Sequence, residues 1–193
     1  MRTKVLYIQY TNPANYPPLL NSSRIFANSG IKVFFLGCEA YGKNQLNFEP
    51  HPNISVKLLK FCPAGWYQKL HYIGYCLLAL AYAFILRPRW IYASDLWACL
   101  PAFILSRLFG FKVIYHEHDS PAPTEGGHVS LWIKITLWFR RKLAEHATLC
   151  ILPNENRLRH FVQTSKRTKD TICVWNCPTK SEAAPRAHTA NGD

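Results

Sequence analysis

Residues 90–95, WIYASD, and 112–119, KVIYHEHD, are two short runs of β-branched and aromatic residues, each stopping on a polar side chain. Runs of this length without polar alternation read as strands buried on both faces, and buried strands of that kind belong to parallel sheets. Between them, residues 96–109 have the length of a helix, and Gly110 suits the left-handed residue that closes one. Strand, helix, strand is a crossover unit, so the local reading already selects an α/β class.

The alternation extends in both directions. Toward the amino end lie strand-like KVLYIQY (4–10), the turn-rich stretch Thr11 to Pro18, and a helix ending near Ser29 and Gly30. IKVFFLG (31–37), a polar loop (38–52), NISVKLLKF (53–61) and a long apolar helix over Leu70 to Leu86 follow. Toward the carboxyl end lie a Pro/Gly-rich loop (119–128) and a helix over 129–145, whose Trp132, Ile135, Trp138 and Phe139 recur at helical spacing as a core stripe. Strand 147–153, an N-cap at Asn154, a short helix (155–163) and a last strand (171–176) complete the series. The expected fold is a doubly wound, Rossmann-like domain over residues 1–178, with a mainly parallel sheet of about seven strands and helices on both faces. Residues 179–193 are small, polar and non-periodic and read as a linker or tail.

Composition fits one packed domain. The 193 residues are 49% hydrophobic and only 18% charged, which excludes a disordered chain. Seven cysteines, an odd number scattered through apolar segments, suit reduced thiols in a cytoplasmic setting. Cys173 and Cys177 are close in sequence without a second ligand pair, so no metal site is expected. The start has neither an h-region nor a cleavage site, so no secretory signal is expected. Leu70 to Leu86 approaches the length of a membrane span, but strands on both sides of it must enter one sheet, which favours a helix packed on the domain or resting on a membrane.

In open parallel sheets, ligands bind beyond the carboxyl ends of the strands. The residues there are polar: Thr11, Asn12 and Asn15 after the first strand, Asp95 after the fourth, His118, Asp119 and Ser120 after the fifth, Asn154 and Glu155 after the sixth, and Asn176 after the last. His118 is the candidate for proton chemistry, since imidazole titrates near neutrality, and Asp95 or Asp119 could orient it or grip hydroxyls. The competing reading is that His118 and Asp119 only cap their loop. No phosphate-binding glycine loop follows the first strand, and neither a Gly-x-Ser-x-Gly elbow nor a His-Glu-x-x-His helix occurs, so no cofactor is expected.

The net charge of +12 points to an anionic partner. Basic residues gather late, at Arg140, Arg141, Lys142, Arg157 and Arg159, near Trp132 and Trp138. That pairing suits an anionic membrane surface, whereas nucleic acid ranks lower for want of a reader motif.

The order of these marks resembles the amino-terminal domain of family-four glycosyltransferases, which have the two-Rossmann-domain (GT-B) fold. It is carried by the early strand with its long loop, Asp95-Leu96 with Leu100-Pro101-Ala102, Lys112 to Tyr115 ending in His118-Asp119, Ala147 to Asn154 with Glu155 and Arg157, and Val174 with Asn176. The resemblance implies an acceptor-holding half, with a nucleotide-sugar donor held by a second domain for which these 193 residues have no counterpart, and with His118 at the cleft between the two. It also implies a hydroxyl acceptor on a cell-envelope polysaccharide or lipid-linked glycan, and work at the cytoplasmic membrane face. Two departures stand out: the glycine-containing first loop is replaced by a Pro/Asn-rich one, and half the cleft cannot position both substrates, so the chain alone is expected to be inactive. The other reading is a non-catalytic, membrane-adjacent subunit that recruits a separate donor domain. Glu117 and Glu125 have the spacing of a two-glutamate signature of such enzymes, which lies in their donor domain, so here it reads as coincidence.

Overall fold

The computed structural model describes residues 3–42, 46–119, 130–167 and 169–175. Seven strands form one parallel sheet: β1 (Lys4–Ile8), β2 (Lys32–Cys38), β3 (Ile54–Leu59), β4 (Trp90–Ser94), β5 (Lys112–His116), β6 (Leu149–Leu152) and β7 (Thr171–Cys173). Their spatial order is β3-β2-β1-β4-β5-β6-β7. Five helices connect them: α1 (Pro17–Asn28), α2 (Trp66–Leu86), α3 (Cys99–Phe109), α4 (Leu131–His146) and α5 (Glu155–Ser165). The doubly wound, Rossmann-like architecture is therefore the one expected. Ser120, Glu125, Asn176, the greater part of the 119–128 loop and the tail 179–193 lie outside the described residues.

Alternation along the strands assigns the two faces. Val5 and Tyr7 of β1, Val33 and Phe35 of β2 and Tyr92 of β4 pack with Leu19 and Ala27 of α1. The intervening residues, among them Leu6, Ile8, Ile91, Val113, Tyr115 and Cys150, pack with α2, α3, α4 and α5 on the other face. Each core side chain buried this way is worth roughly 1.5–3 kcal/mol relative to an exposed one.

Local chemistry sets the boundaries. Pro17 opens α1, where the missing amide would have had no partner in any case. Gly110 closes α3 in the left-handed conformation, at φ 69°. Asn154 caps α5 by accepting from the Arg157 amide at 2.9 Å, and Ser130 caps α4 by accepting from the Ile133 amide. The long apolar helix begins at Trp66, four residues before the apolar run suggests. It lies along the sheet as the crossover from β3 to β4, with Tyr72, Tyr75, Cys76, Ala79 and Ala83 buried beneath it.

One glycine fixes the loop that follows β1. A Cβ on Gly37 of β2 would come within 2.7 Å of Pro13 Cδ and 2.9 Å of the Thr11 carbonyl oxygen. That same oxygen accepts from the Cys38 amide at 3.0 Å, so backbone meets backbone with no room for a methyl group. Gly37→Ala is expected to lower stability by about 1–3 kcal/mol, read as a shifted urea midpoint; a midpoint equal to that of the unmodified chain would show that the loop does not need this contact.

Candidate functional site

The sheet order reverses between β1 and β4, because the chain leaves β1 toward β2 on one side and returns at β4 on the other. The chain leaving the β1 tip enters α1 on one face and the chain leaving the β4 tip enters α3 on the other, which leaves a crevice at the strand tips. The first residues past β1, β4 and β5 therefore become neighbours, although 86 positions separate Gln9 from Asp95. Gln9 Nε2 donates to Thr11 Oγ1 at 2.8 Å and to Asp95 Oδ2 at 3.3 Å. Burial, reinforced by the charges of Asp119 and Glu117, pushes the Asp95 carboxyl up to about 6. Asp95 also holds φ 70° and ψ 171°, a region almost confined to glycine, so its backbone carries strain at the rim.

His118 sits 7% exposed, and neither ring nitrogen has a hydrogen-bond partner among the described residues. Its ring lies 4.0 Å from that of His116 and 5.5 Å from that of Tyr16. His116 is held by the Tyr92 hydroxyl, 2.6 Å from Nδ1. Burial lowers the proton affinity of both rings, His116 to about 3 and His118 to about 4. A neutral His118 presents one donor and one acceptor nitrogen at neutral pH. Gln9 Oε1 and Ser94 Oγ, on the neighbouring strands, are likewise buried without a partner. Unmatched buried polar atoms each cost about 1–3 kcal/mol and so mark a place where a polar ligand gains affinity.

Two clefts flank Thr11. One, of about 570 Å³, is lined by Tyr10, Thr11, Asn12, Asn15, Tyr16, Glu39, Tyr41 and His71, among others. The second, of about 510 Å³, is walled by Trp66, Tyr72, Trp97 and Trp132 together with Gln68 and Lys69. His118 lines neither and meets the larger one through Tyr16.

The residues expected at the rim therefore divide. Thr11, Asn15 and Asp95 stand at the crevice. Asn12 lines a cleft, but its amide is already engaged, accepting from the Ala14 amide at 3.0 Å and donating to the Leu46 carbonyl at 2.9 Å. Asp119 is exposed beside Arg157 at 3.8 Å, Asn154 serves as the α5 cap, and Glu155 is exposed on that helix. The basic group also separates. Arg140 forms a two-pronged pair with the buried Glu117, at 2.6 and 2.7 Å, Lys142 pairs with Glu145 at 2.8 Å, and Arg157 donates to the His118 carbonyl. Arg159 bonds Asn156, and Arg141 is exposed. Among the described residues no cluster of His, Cys, Asp or Glu has the arrangement of a metal site.

Sequence reasoning missed Gln9, Tyr10, His71 and Trp97; of the α4 stripe it read as core, Trp132 and Phe139 pack against the core, Trp132 also walling a cleft, whereas Ile135 and Trp138 are exposed. Gln9 and Tyr10 occupy the same strand-end position that singled out Asp95, and this is the signal that could have found them. His71 bonds the Tyr10 hydroxyl at 2.7 Å, a contact across the fold that spacing does not reveal.

No protein-family model matches the chain, and no curated protein matches it. Solved structures do. Sucrose-phosphate synthase from Thermosynechococcus elongatus superposes with a TM-score of 0.67 at 12% identity, over 90% of this chain and 48% of that one. Anabaena Alr3699/HepE in complex with UDP-glucose gives 0.60 at 16%, over 91% and 44%, and MurG of Acinetobacter baumannii gives 0.56 at 13%, over 91% and 46%. The chain thus has the fold of one half of a GT-B glycosyltransferase and spans a little under half the length of these three.

The buried rings make acid sensitivity measurable. Above about pH 6.5 both histidines are neutral folded or unfolded; below it the unfolded chain takes up protons that the folded chain refuses, a loss of about 2 kcal/mol per ring by about pH 5. His118→Asn is expected to remove roughly half of that decline in a series of urea midpoints, and an unchanged slope would refute the low proton affinity of this ring. Asp95 works in the opposite sense, its carboxylate being disfavoured in the fold. Asp95→Asn should therefore raise stability by about 1–3 kcal/mol above its folded-state pKa of about 6, the gain vanishing toward pH 4; equal midpoints at neutral pH would contradict this.

Proposed function

We propose that the chain is the acceptor-side half of a family-four glycosyltransferase, which transfers a sugar from a nucleotide-sugar donor to a hydroxyl of a cell-envelope polysaccharide or lipid-linked glycan. The observation that carries this reading is the set of partnerless buried polar groups at the tips of β1, β4 and β5 beside aromatic-walled clefts. A polyhydroxylated acceptor would satisfy such groups while its apolar ring face stacks on indole or phenol rings.

The donor's diphosphate would be held elsewhere. The loop after β1 has no glycine, and α1 opens on Pro17 and Pro18, which remove two of the free amides that would bind an anion at a helix start. HepE was crystallised with UDP-glucose, and a nucleotide sugar of that class on a second domain would face the rim described above. His118 then accepts a hydrogen bond from, and finally a proton of, the acceptor hydroxyl. Its neutral state suits that role, while its low basicity makes orientation the larger part of it. Thr11, Asn15 and Asp95 would grip the acceptor, with Asp119, Asn154 and Glu155 bordering the donor's side. The chain would be inactive alone, since the donor must be positioned by a separate wall. A second reading, favoured by the apolar outer face of α2, is a non-catalytic, membrane-adjacent subunit that recruits the donor domain.

The test mixes the chain with a candidate donor-binding domain and follows turnover of a panel of nucleotide sugars. Turnover is expected from the mixture and from neither part alone, and His118→Ala should lower it about 100-fold or more. Undiminished turnover in that variant would take His118 out of the mechanism, whereas failure of every mixture would favour the recruiting subunit.

A further inference from the structure

Helix α2 has two apolar sides. One, with Tyr72, Tyr75, Cys76, Ala79 and Ala83, is covered by the sheet and α3. The opposite stripe runs through Trp66, Leu70, Ile73, Leu77, Ala81 and Phe84, all exposed, with Leu77 at 62%. These positions recur every three or four residues, so they form one line along the whole 21-residue helix. A helix resting on a soluble domain normally turns polar residues outward, and here the outward line is apolar from end to end.

The stripe continues onto its neighbours. Phe84 meets Phe109 of α3 edge to face at 4.8 Å, with the exposed Leu108 beside it, and Phe103 of α3 meets the exposed Trp138 of α4 at 6.1 Å. On α4 the exposed residues are all apolar or basic: Leu131, Ile133, Lys134, Ile135, Trp138 and Arg141. Across α2, α3 and α4 there is a single carboxylate, Glu145, and it is paired with Lys142. Lys69, Arg87, Arg107, Lys134 and Arg141 are exposed around this layer, and none pairs with a carboxylate among the described residues.

We infer that the outer face of α2, α3 and α4 is a docking surface for an anionic lipid bilayer. The apolar stripe enters the headgroup and upper acyl region, while the basic side chains lay their methylene stems along it and hold their charges at the lipid phosphates. The sign and placement of the charge commit the surface to this occupant: a second copy of the chain would bring equally cationic rims together, whereas an anionic membrane neutralises them. The aromatic-walled cleft opens at the start of α2, where Trp66 and Lys69 belong to both the cleft and the outer face. A docked domain therefore holds that opening next to the lipid headgroups.

The measurement is flotation of the full chain with vesicles of phosphatidylcholine and phosphatidylglycerol in equal parts, against phosphatidylcholine alone. Binding to the mixed vesicles is expected, weakening with added salt. Ile73→Asp combined with Leu77→Asp should lower the apparent partition about tenfold or more, whereas Ile25→Asp, an equally exposed apolar site on α1, should leave it unchanged. Circular dichroism melting of each variant separates lost binding from lost folding, and the single exposed reversal Lys134→Glu, remote from the core, should weaken binding even if the double variant is destabilised. The inference is overturned if the chain does not bind the mixed vesicles, if Ile25→Asp loses as much binding as the α2 pair, or if the face instead supports a dimer that the α2 pair dissolves while vesicles are ignored. None of these readouts requires sugar transfer, so the result stands or falls apart from the proposed activity.

Discussion

The parallel pairing of β4 against β1 is the constraint on which the molecule turns. Val5 aligns with Trp90 and Ile8 with Ala93, so the chain must come back from the far edge at β3 to the middle of the sheet. Only a long crossover can do that, and α2 is that crossover. The same return puts Gln9 beside Asp95 and opens the crevice in which polar strand tips converge. If that one register were lost, the clefts, the crevice and the helix layer would lose their common frame.

A second constraint pins the neighbouring strand. Glu117 follows β5, is only 1% exposed, and receives two bonds from Arg140 and one from the Tyr115 hydroxyl. Removing one member of such a buried pair typically costs about 3–5 kcal/mol, because the partner's charge is stranded. The pair also decides where His118 lies, since it ties the strand end to α4 one residue before the histidine. Arg157 fastens the histidine's own carbonyl from α5. His118 is thus placed by α5 through its own carbonyl and by α4 through the neighbouring Glu117, while neither ring nitrogen has a hydrogen-bond partner among the described residues, an arrangement that favours reaching a ligand over capping a loop.

Much of the architecture was legible because it depends on period and punctuation. Uninterrupted apolar runs stopping at Asp95 and after His116, the glycine at position 110 and the cap at Asn154 report backbone physics that acts over a few residues. The site was legible in part, through the rule that parallel strands place their next residues on one rim, which picks out Thr11, Asp95 and His118. What stayed hidden depends on contacts between distant segments. Arg140 reads as a surface cation beside Arg141 and Lys142, and only the folded chain shows that Glu117 claims it. Trp132 reads as core because its spacing matches a helical stripe, and it does pack against the core, edge to face with Tyr72, but its remaining surface walls a cleft. Asn12 reads as a ligand-binding amide, but a loop closing from Leu46 occupies it.

Places where local rules are broken gather at the same rim. Asp95 holds a backbone conformation that favours glycine, neither nitrogen of His118 is paired among the described residues, and burial pushes the Asp95 carboxyl above its usual range, all within the tips of two adjacent strands. Each departure costs about 1–3 kcal/mol, and together they are a large fraction of the net stability of a domain this size. Glycine in place of Asp95 would relieve the backbone, and an apolar residue in place of His118 would leave no buried ring nitrogen unmatched. Their coexistence at a topological switch point, with the clefts on one side and an apolar helix face running away from them on the other, is the arrangement expected where the cost is recovered by a polar ligand at the strand tips.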